Sequence, residues 1–351
     1  MNFNFDRYRE MRHSNYISLL FAILFIAILF GSTACSRKGK VNKEAIKVEM
    51  LEVTINRYEK ALFSIDTNNT GAELIRLQPS FLPFLNADLS DADAILQIQE
   101  FVTDTAIRQI YAETMSAFPE LGFLEDDLTL AFKHIRYYFP EWQPPMVYSY
   151  VSGLFYEMPV KYTGTELIIA IDMYLGESYE MYRMVGIPQY KIRQMQIDYL
   201  LADCIEMIIR NVFIKPAFSE NMLDKMIDEG KILYFLDTFL PWIADEYKMG
   251  YTVEDIKWCK KNESNMWAYF IENELLFSSD PLVINRFIND GPFTTAFHND
   301  SPARAALWVG WQIVKAYADN SPDDVHSKLL SAPDSREILK ASGYKPSRFV
   351  F

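Results

Sequence analysis

Two acidic side chains on one predicted helix could act as a general acid–base pair. The segment Ile192–Arg210 carries apolar residues at helical spacing. Along it, Tyr199, Asp203, Glu206 and Arg210 recur at intervals of three and four, so they share one face. Two carboxylates on an otherwise buried helix could exchange protons with a substrate. In the simpler interpretation, Glu206 pairs with Arg210 at i,i+4 and Asp203 faces water or another base.

A second set of candidate residues lies on a helix predicted near the carboxyl end. Trp308 and Trp311 fall with Val314 on one stripe, and Gly310 lets another element approach closely. This pattern favours core packing over a ligand platform. The candidate functional face, taken from both helices, consists of Tyr199, Asp203, Glu206, Arg210, Arg304 and Trp311.

The histidines do not form a metal site by their spacing. The four histidines are His13, His134, His298 and His326, and no two share a helix face. A helical zinc site needs such a pair. The sequence also has no glycine-rich phosphate loop, nucleophile elbow or dinucleotide fingerprint. We therefore predict no catalytic residue, no bound metal and no cofactor.

The amino terminus predicts a lipid anchor. An uncharged apolar run, Ile17–Phe30, follows Arg12 and is shorter than the roughly 20 residues that span a bilayer. This is the layout of a secretory signal peptide. Thr33 and Ala34 directly before Cys35 resemble a lipobox, although Ser32 departs from that pattern. We predict a signal peptide over 1–34, lipidation (palmitate) at Cys35 and a polar tether over 35–50; the alternative is an uncleaved signal anchor.

Composition and periodicity predict one folded body over 51–349. The chain has 351 residues, is 50% hydrophobic and carries a net charge of −13. An acidic body without a basic stripe excludes nucleic acid as a partner. Two strands are predicted, over 146–156 and 166–175. Helices are predicted over 91–118, 123–138, 192–213, 219–229, 231–247, 252–277 and 304–318. The expected fold class is α+β, mostly helical.

Several segments resemble the gliding-motility-associated lipoprotein GldB family of Bacteroidota. They are the lipobox, the entry Asn56–Phe63, the segments Ser301–Arg304 and Gly310–Tyr317, and the closing Ser342–Ser347. The resemblance implies a fold related to zincin-like metallopeptidases, with a small antiparallel sheet packed beside the helix that would carry HExxH. The segment of this chain that would correspond to HExxH is Ala202-Asp203-Cys204-Ile205-Glu206, so both zinc-binding histidines are missing.

The resemblance implies a non-catalytic envelope lipoprotein of the gliding and type IX secretion machinery. Its expected partners are the membrane, through the lipid, and envelope proteins. The basic stretch Ser36–Lys40 favours a periplasm-facing position, because surface-exposed lipoproteins of Bacteroidota tend to be acidic after the cysteine. The alternatives are a peptide- or glycan-binding lipoprotein and an active hydrolase. A cleft of solvent-facing tryptophans would favour binding, whereas a buried Trp308–Trp311 stripe would favour packing.

Overall fold

A computed structural model describes residues 41–47, 51–214, 221–297, 300–331 and 334–346. The predicted signal peptide, Cys35 and His298 lie outside these residues. The described residues cluster as one compact unit. Within the described ranges, no helix is both long and apolar enough to cross a membrane.

Helices dominate the described chain, which also contains one small sheet. In chain order the helices are α1 (Lys43–Ile46), α2 (Tyr58–Phe63), α3 (Thr70–Leu77), α4 (Ala92–Thr103), α5 (Thr105–Ala117), α6 (Gly122–Tyr138), α7 (Glu180–Met184), α8 (Gln189–Ile192), α9 (Ile197–Ile208), α10 (Met222–Phe239), α11 (Asp245–Met249), α12 (Val253–Glu272), α13 (Pro281–Ile288), α14 (Ala305–Asn320), α15 (Val325–Leu330) and α16 (Ser335–Ser342). A π-helical turn, Ile209–Phe213, continues α9. The mostly helical α+β prediction is confirmed.

The sheet is mixed, and the prediction of an antiparallel sheet is wrong. Its strands are β1 (Ile55–Arg57), β2 (Met146–Tyr150), β3 (Val160–Tyr162) and β4 (Glu166–Ala170), in the spatial order β1-β2-β4-β3. The β1–β2 and β2–β4 pairs are parallel, and the β3–β4 pair is antiparallel. The two long apolar runs, 146–156 and 166–175, were expected to form that antiparallel sheet. The hairpin partner of β4 is instead the short β3, which returns on the far side of β4 and leaves β2 parallel to it.

A buried carboxylate explains why the first predicted strand ends at Tyr150 and not near residue 156. Gly153 and Leu154 have φ of 73° and 67°, so the chain turns sharply there. The carboxylate of Asp172, which is fully buried, accepts hydrogen bonds from the backbone N–H groups of Ser152 and Leu154, each at 2.9 Å. These bonds satisfy donors that a continued strand would have used in the ladder.

The outer edge of β1 is covered by side chains of α6. The N–H of Val53 donates to Oγ1 of Thr129 at 2.9 Å, and the N–H of Ile55 donates to Oε1 of Glu125 at 2.8 Å. Glu125 and Thr129 are four residues apart, so they lie on one face of α6. The helix thereby takes the place of a further strand at this edge.

The pair of α10 and α14 forms the centre of the helical part. A Cβ atom built on Gly310 would lie 1.8 Å from the carbonyl oxygen of Met226, so the two backbones touch. Gly230 faces the same crossing, because its Cβ would lie 2.4 Å from the carbonyl oxygen of Gly310. The sequence indicated a helix break at Gly230, but α10 runs through it. The glycine is required for close packing and not for a turn.

Candidate functional site

Tyr199 lies buried where α9 meets the turn between α11 and α12. Its hydroxyl donates to the carbonyl oxygen of Tyr251 at 2.9 Å, and burial raises the pKa of Tyr199 to about 12. The hydroxyl of Tyr251 in turn donates to the carbonyl oxygen of Ala303 at 2.5 Å. The two tyrosines therefore tie α9, the 250–252 turn and the start of α14 together.

Asp203 is a partly exposed carboxyl with an unusual proton affinity. The hydroxyl of Tyr174, in the turn after β4, donates to Oδ2 of Asp203 at 2.8 Å. Burial raises the pKa of Asp203 to about 7, and the charge of Glu206 adds to this; the Tyr174 hydrogen bond and the charges of Arg304 and Lys191 oppose it. A carboxyl that is half protonated near neutral pH is suited to proton transfer.

Glu206 and Arg210 form a structural ion pair, as the simpler interpretation predicted. Nε of Arg210 lies 2.7 Å from Oε1 of Glu206. Nη1 and Nη2 of the same guanidinium donate to the two carboxylate oxygens of Glu229 on α10, at 2.8 and 2.6 Å. This two-bond geometry is the strong form of an arginine–carboxylate pair. Arg210 therefore connects α9 to α10 through Glu206 and Glu229.

Arg304 lies immediately before α14 in a left-handed conformation, with φ of 56°. Its Nη2 donates to the carbonyl oxygen of Met249 at 2.5 Å, and its Nε lies 3.8 Å from Oδ1 of Asp290. Lys191 approaches Oδ2 of the same Asp290 at 2.7 Å. A non-glycine residue held at positive φ costs energy and is a common feature of functional sites.

Arg304 and Asp290 line a cleft of about 430 Å³, open solvent included. We call it the Arg304 cleft. It is lined by Tyr190, Arg193, Gln194, Tyr199, Gly250, Tyr251, Thr252, Asp255, Asp290, Gly291, Pro292, Pro302, Ala303 and Arg304. The structure therefore brings two members of the candidate face, Tyr199 and Arg304, into one cleft. Asp203 is coupled electrostatically to Arg304 but does not line the cleft.

Trp311 lies elsewhere, in the core between α10 and α14. It is fully buried, and its Nε1 donates to Oδ2 of Asp237 at 3.0 Å. Lys248 and Lys315 approach the same carboxylate at 2.7 and 3.3 Å. Trp308 is buried too. The two tryptophans are a packed stripe, and no tryptophan lines the Arg304 cleft.

The described histidines are packed among aromatic rings. His134 is fully buried, with its ring edge-on to Trp242 at 5.0 Å, and burial lowers its pKa. His326 contacts Tyr138 at 4.7 Å between ring centroids, and burial lowers its pKa as well. Among the residues that the structure describes, no three His, Cys, Asp or Glu side chains group closely enough to hold a metal ion.

Sequence patterns missed several residues around the cleft. Lys191, Tyr251 and Asp290 come from three separate segments, and no spacing along the chain connects them. The only local indication was Gly250, which follows α11 in the left-handed conformation typical of a helix end. That signal predicts a helix terminus but not a cleft.

Comparison with known proteins identifies the family. The family model described as gliding motility protein GldB matches residues 38–346. The chain belongs to the GldB family. A search of curated proteins found no match, and neither did a search of solved structures. The relation to zincin-like peptidases therefore remains a prediction.

The entry segment of this GldB-family chain contains a buried ion pair that links β1 to its neighbours. Glu59 is fully buried, is paired with Nε of Arg57, and accepts hydrogen bonds from Oγ of Ser149 at 2.9 and 3.1 Å. Nη2 of Arg57 also donates to the carbonyl oxygen of Phe118 at 3.0 Å. The Arg-x-Glu spacing at residues 57–59 thus joins β1 and α2 to β2 and to the α5–α6 junction.

Proposed function

We propose that this GldB-family chain is a lipid-anchored envelope lipoprotein that supports gliding and the linked type IX secretion by holding partner proteins, without catalysing a reaction. Membership in a family of gliding motility proteins carries the proposal. The arrangement of α9 supports the non-catalytic part. Glu206 is held by Arg210, and Asp203 accepts a hydrogen bond from Tyr174, so the two carboxylates have separate structural partners.

The anchor is tested by Cys35→Ala. We expect the unchanged chain to incorporate labelled palmitate and to fractionate with membranes, whereas Cys35→Ala remains folded, unlabelled and soluble. One saturated chain binds a bilayer only marginally, so stable anchoring needs more than one acyl chain. A matched control is Cys259→Ala, because Cys259 is buried in the body. An unlabelled Cys35→Ala protein that still fractionates with membranes would contradict the proposal.

The non-catalytic role is tested in a strain that lacks its own copy of the gene. We expect the double variant Asp203→Asn, Glu206→Gln to restore gliding or secretion as well as the unchanged chain does. A general acid–base pair typically contributes 10²–10⁴-fold to a rate. The double variant could instead fail to restore gliding or secretion although it is present at normal levels and still binds its cross-linked partners. That result would support the alternative function, an active hydrolase.

A further inference from the structure

A second groove lies between the segments that lead into β1 and β2. Its lining consists of residues 51–54, Asn56, Arg136 and residues 144–147, and its cavity volume is about 390 Å³. We call it the Arg136 groove. The side chain of Met146, in its lining, is 54% exposed, so the groove is open to solvent. Its volume falls within the range of about 300–1,000 Å³ that is usual for ligand pockets.

Two opposite charges in the Arg136 groove have no partner among the described residues. Nε of Arg136, in the last turn of α6, is buried without a hydrogen-bond partner, and the guanidinium enters no ion pair within the described chain. Glu52 is exposed and makes no hydrogen bond or ion pair there either. A buried donor without an acceptor is costly, and a ligand that supplies the acceptor removes that cost. The ligand that fits therefore offers an acceptor to Arg136 and a cationic donor to Glu52.

The groove lies within reach of the membrane to which the chain is anchored. The helix α1 packs against α6, and its Ala45 is fully buried. Arg136 belongs to the same α6. Asn42, the cap of α1, follows Cys35 by only seven residues, which span at most about 25 Å when fully extended. A lipid on Cys35 therefore keeps α6 close to the bilayer surface, a step that rests on the anchor of the proposed function.

The charge balance favours a zwitterionic headgroup over an anionic one. Arg136 and Glu52 cancel, and no other residue of the lining is charged. The whole chain has a net charge of −13, so a surface rich in anionic lipid repels the body. A phosphate ester matches a guanidinium because two of its oxygens accept parallel N–H bonds. A primary ammonium carries three donors for a carboxylate. Phosphoethanolamine combines these two groups.

We propose that the Arg136 groove binds the phosphoethanolamine headgroup of a phospholipid in the membrane to which the chain is anchored. Arg136 holds the phosphate, and Glu52 accepts hydrogen bonds from the ammonium. Pro144 and the exposed Met146 contact the apolar part of the lipid next to the headgroup. Because the tether raises the effective concentration of the bilayer at the groove, a weak headgroup contact suffices to orient the body on the membrane.

The test uses residues 36–351, which contain every described residue of the compact unit and carry no lipid. Co-sedimentation compares binding to vesicles of phosphatidylcholine with binding to vesicles of phosphatidylcholine mixed with phosphatidylethanolamine. Both kinds of vesicle are electrically neutral, so the basic segment Ser36–Lys40 contributes equally to both. Choline has no N–H donor for Glu52. We therefore expect about tenfold stronger binding to the ethanolamine vesicles, or about 1.4 kcal/mol.

Glu52→Gln carries the test, because this exposed side chain has no hydrogen bond to lose within the described chain. We expect Glu52→Gln and Arg136→Gln each to abolish the preference for ethanolamine. The matched controls are Glu157→Gln and Arg286→Gln, which are exposed and lie outside the groove lining. Soluble glycerophosphoethanolamine should displace the chain from the vesicles, whereas inorganic phosphate should not.

Three results would each overturn the proposal: equal binding to the two kinds of vesicle, a preference that survives Glu52→Gln, or displacement by inorganic phosphate as effective as by glycerophosphoethanolamine. A groove that served a peptide instead would give the first of these results. The outcome is separate from that of the anchor test, because the chain used here has no acyl group. Absent palmitate labelling together with an intact ethanolamine preference would contradict the anchor and not the groove.

Discussion

The close crossing of α10 and α14 makes Gly310 the most sensitive position that the structure identifies in the helical core. In Gly310→Ala the new Cβ would lie 1.8 Å from the carbonyl oxygen of Met226, where real Cβ contacts are not shorter than 3.0 Å. The two backbones must therefore separate by about 1.2 Å, the difference between these distances. Both clashing partners are backbone or backbone-attached atoms, so no side-chain rotation relieves the contact.

The magnitude follows from two opposing effects. Alanine is a better helix former than glycine by about 1 kcal/mol, which favours the variant. Overpacking of a core costs about 1–3 kcal/mol and occasionally more, and here it parts two helices whose contact faces include the fully buried Trp311. Because the two backbones must part, we expect the upper end of that cost and a net loss of about 2 kcal/mol, a large fraction of the 5–15 kcal/mol by which proteins are stable.

Urea unfolding followed by tryptophan emission is the appropriate assay, because Trp308 and Trp311 flank Gly310. Gly122→Ala is the matched control: Gly122 is the first residue of α6, and no atom lies within 4 Å of its added Cβ. We expect Gly122→Ala to be neutral or up to about 1 kcal/mol more stable. A Gly310→Ala chain as stable as the unchanged one, or an equal loss in Gly122→Ala, would refute the close-approach argument.

Three further predictions concern charge and metal binding. The pKa of Asp203 is about 7 in the folded chain and about 4 in the unfolded chain, so the folded state binds the proton more tightly and the free energy of unfolding falls as the pH rises from about 4 to 7. Urea titrations should show that Asp203→Asn reduces the pH dependence of the free energy of unfolding and makes the chain about 2 kcal/mol more stable at pH 8. That magnitude is reduced from the full pKa shift because Asp203 is partly exposed. An equal pH dependence in the two chains would contradict the prediction. Glu59→Gln should cost about 3 kcal/mol because it leaves the charge of Arg57 buried without its partner, whereas Glu120→Gln, 85% exposed and paired with Lys60, should change stability by less than about 1 kcal/mol. After dialysis against trace zinc, metal analysis should find less than stoichiometric zinc, and a peptide library should remain uncleaved. One bound zinc ion per chain that is lost in Asp203→Asn would instead support the alternative function, an active hydrolase.

The helices with a strong apolar stripe could be predicted from the sequence. The segment predicted over 123–138 is α6 almost to the residue, and the predicted 304–318 helix is α14. Predicted boundaries failed where one polar residue interrupts the pattern. Asp104 ends α4, and its side chain caps α5 by accepting a hydrogen bond from the N–H of Ile107 at 2.9 Å, so the predicted 91–118 helix is two.

Contacts between distant segments could not be predicted. The i,i+4 pairing of Glu206 with Arg210 is local and was foreseen, but Glu229, which completes the cluster, comes from α10. The environment of Asp203 likewise depends on Tyr174 and Arg304, which lie 29 residues before it and 101 after it. A helical wheel shows which side chains share a face but not what faces them, so the Arg304 cleft emerged only from the fold.

The covered edge of β1 restricts how this chain can assemble with others. Exposed edge strands present unpaired N–H and C=O groups and recruit strands from other polypeptides. Here the outward N–H groups of Val53 and Ile55 are already bonded to Thr129 and Glu125. Strand addition at that edge would first require α6 to detach, with the loss of its fully buried Leu128 and Phe132 from the core. The chain is thereby protected from edge-to-edge aggregation at β1, and a partner that docks there must recognise side chains and not the peptide backbone.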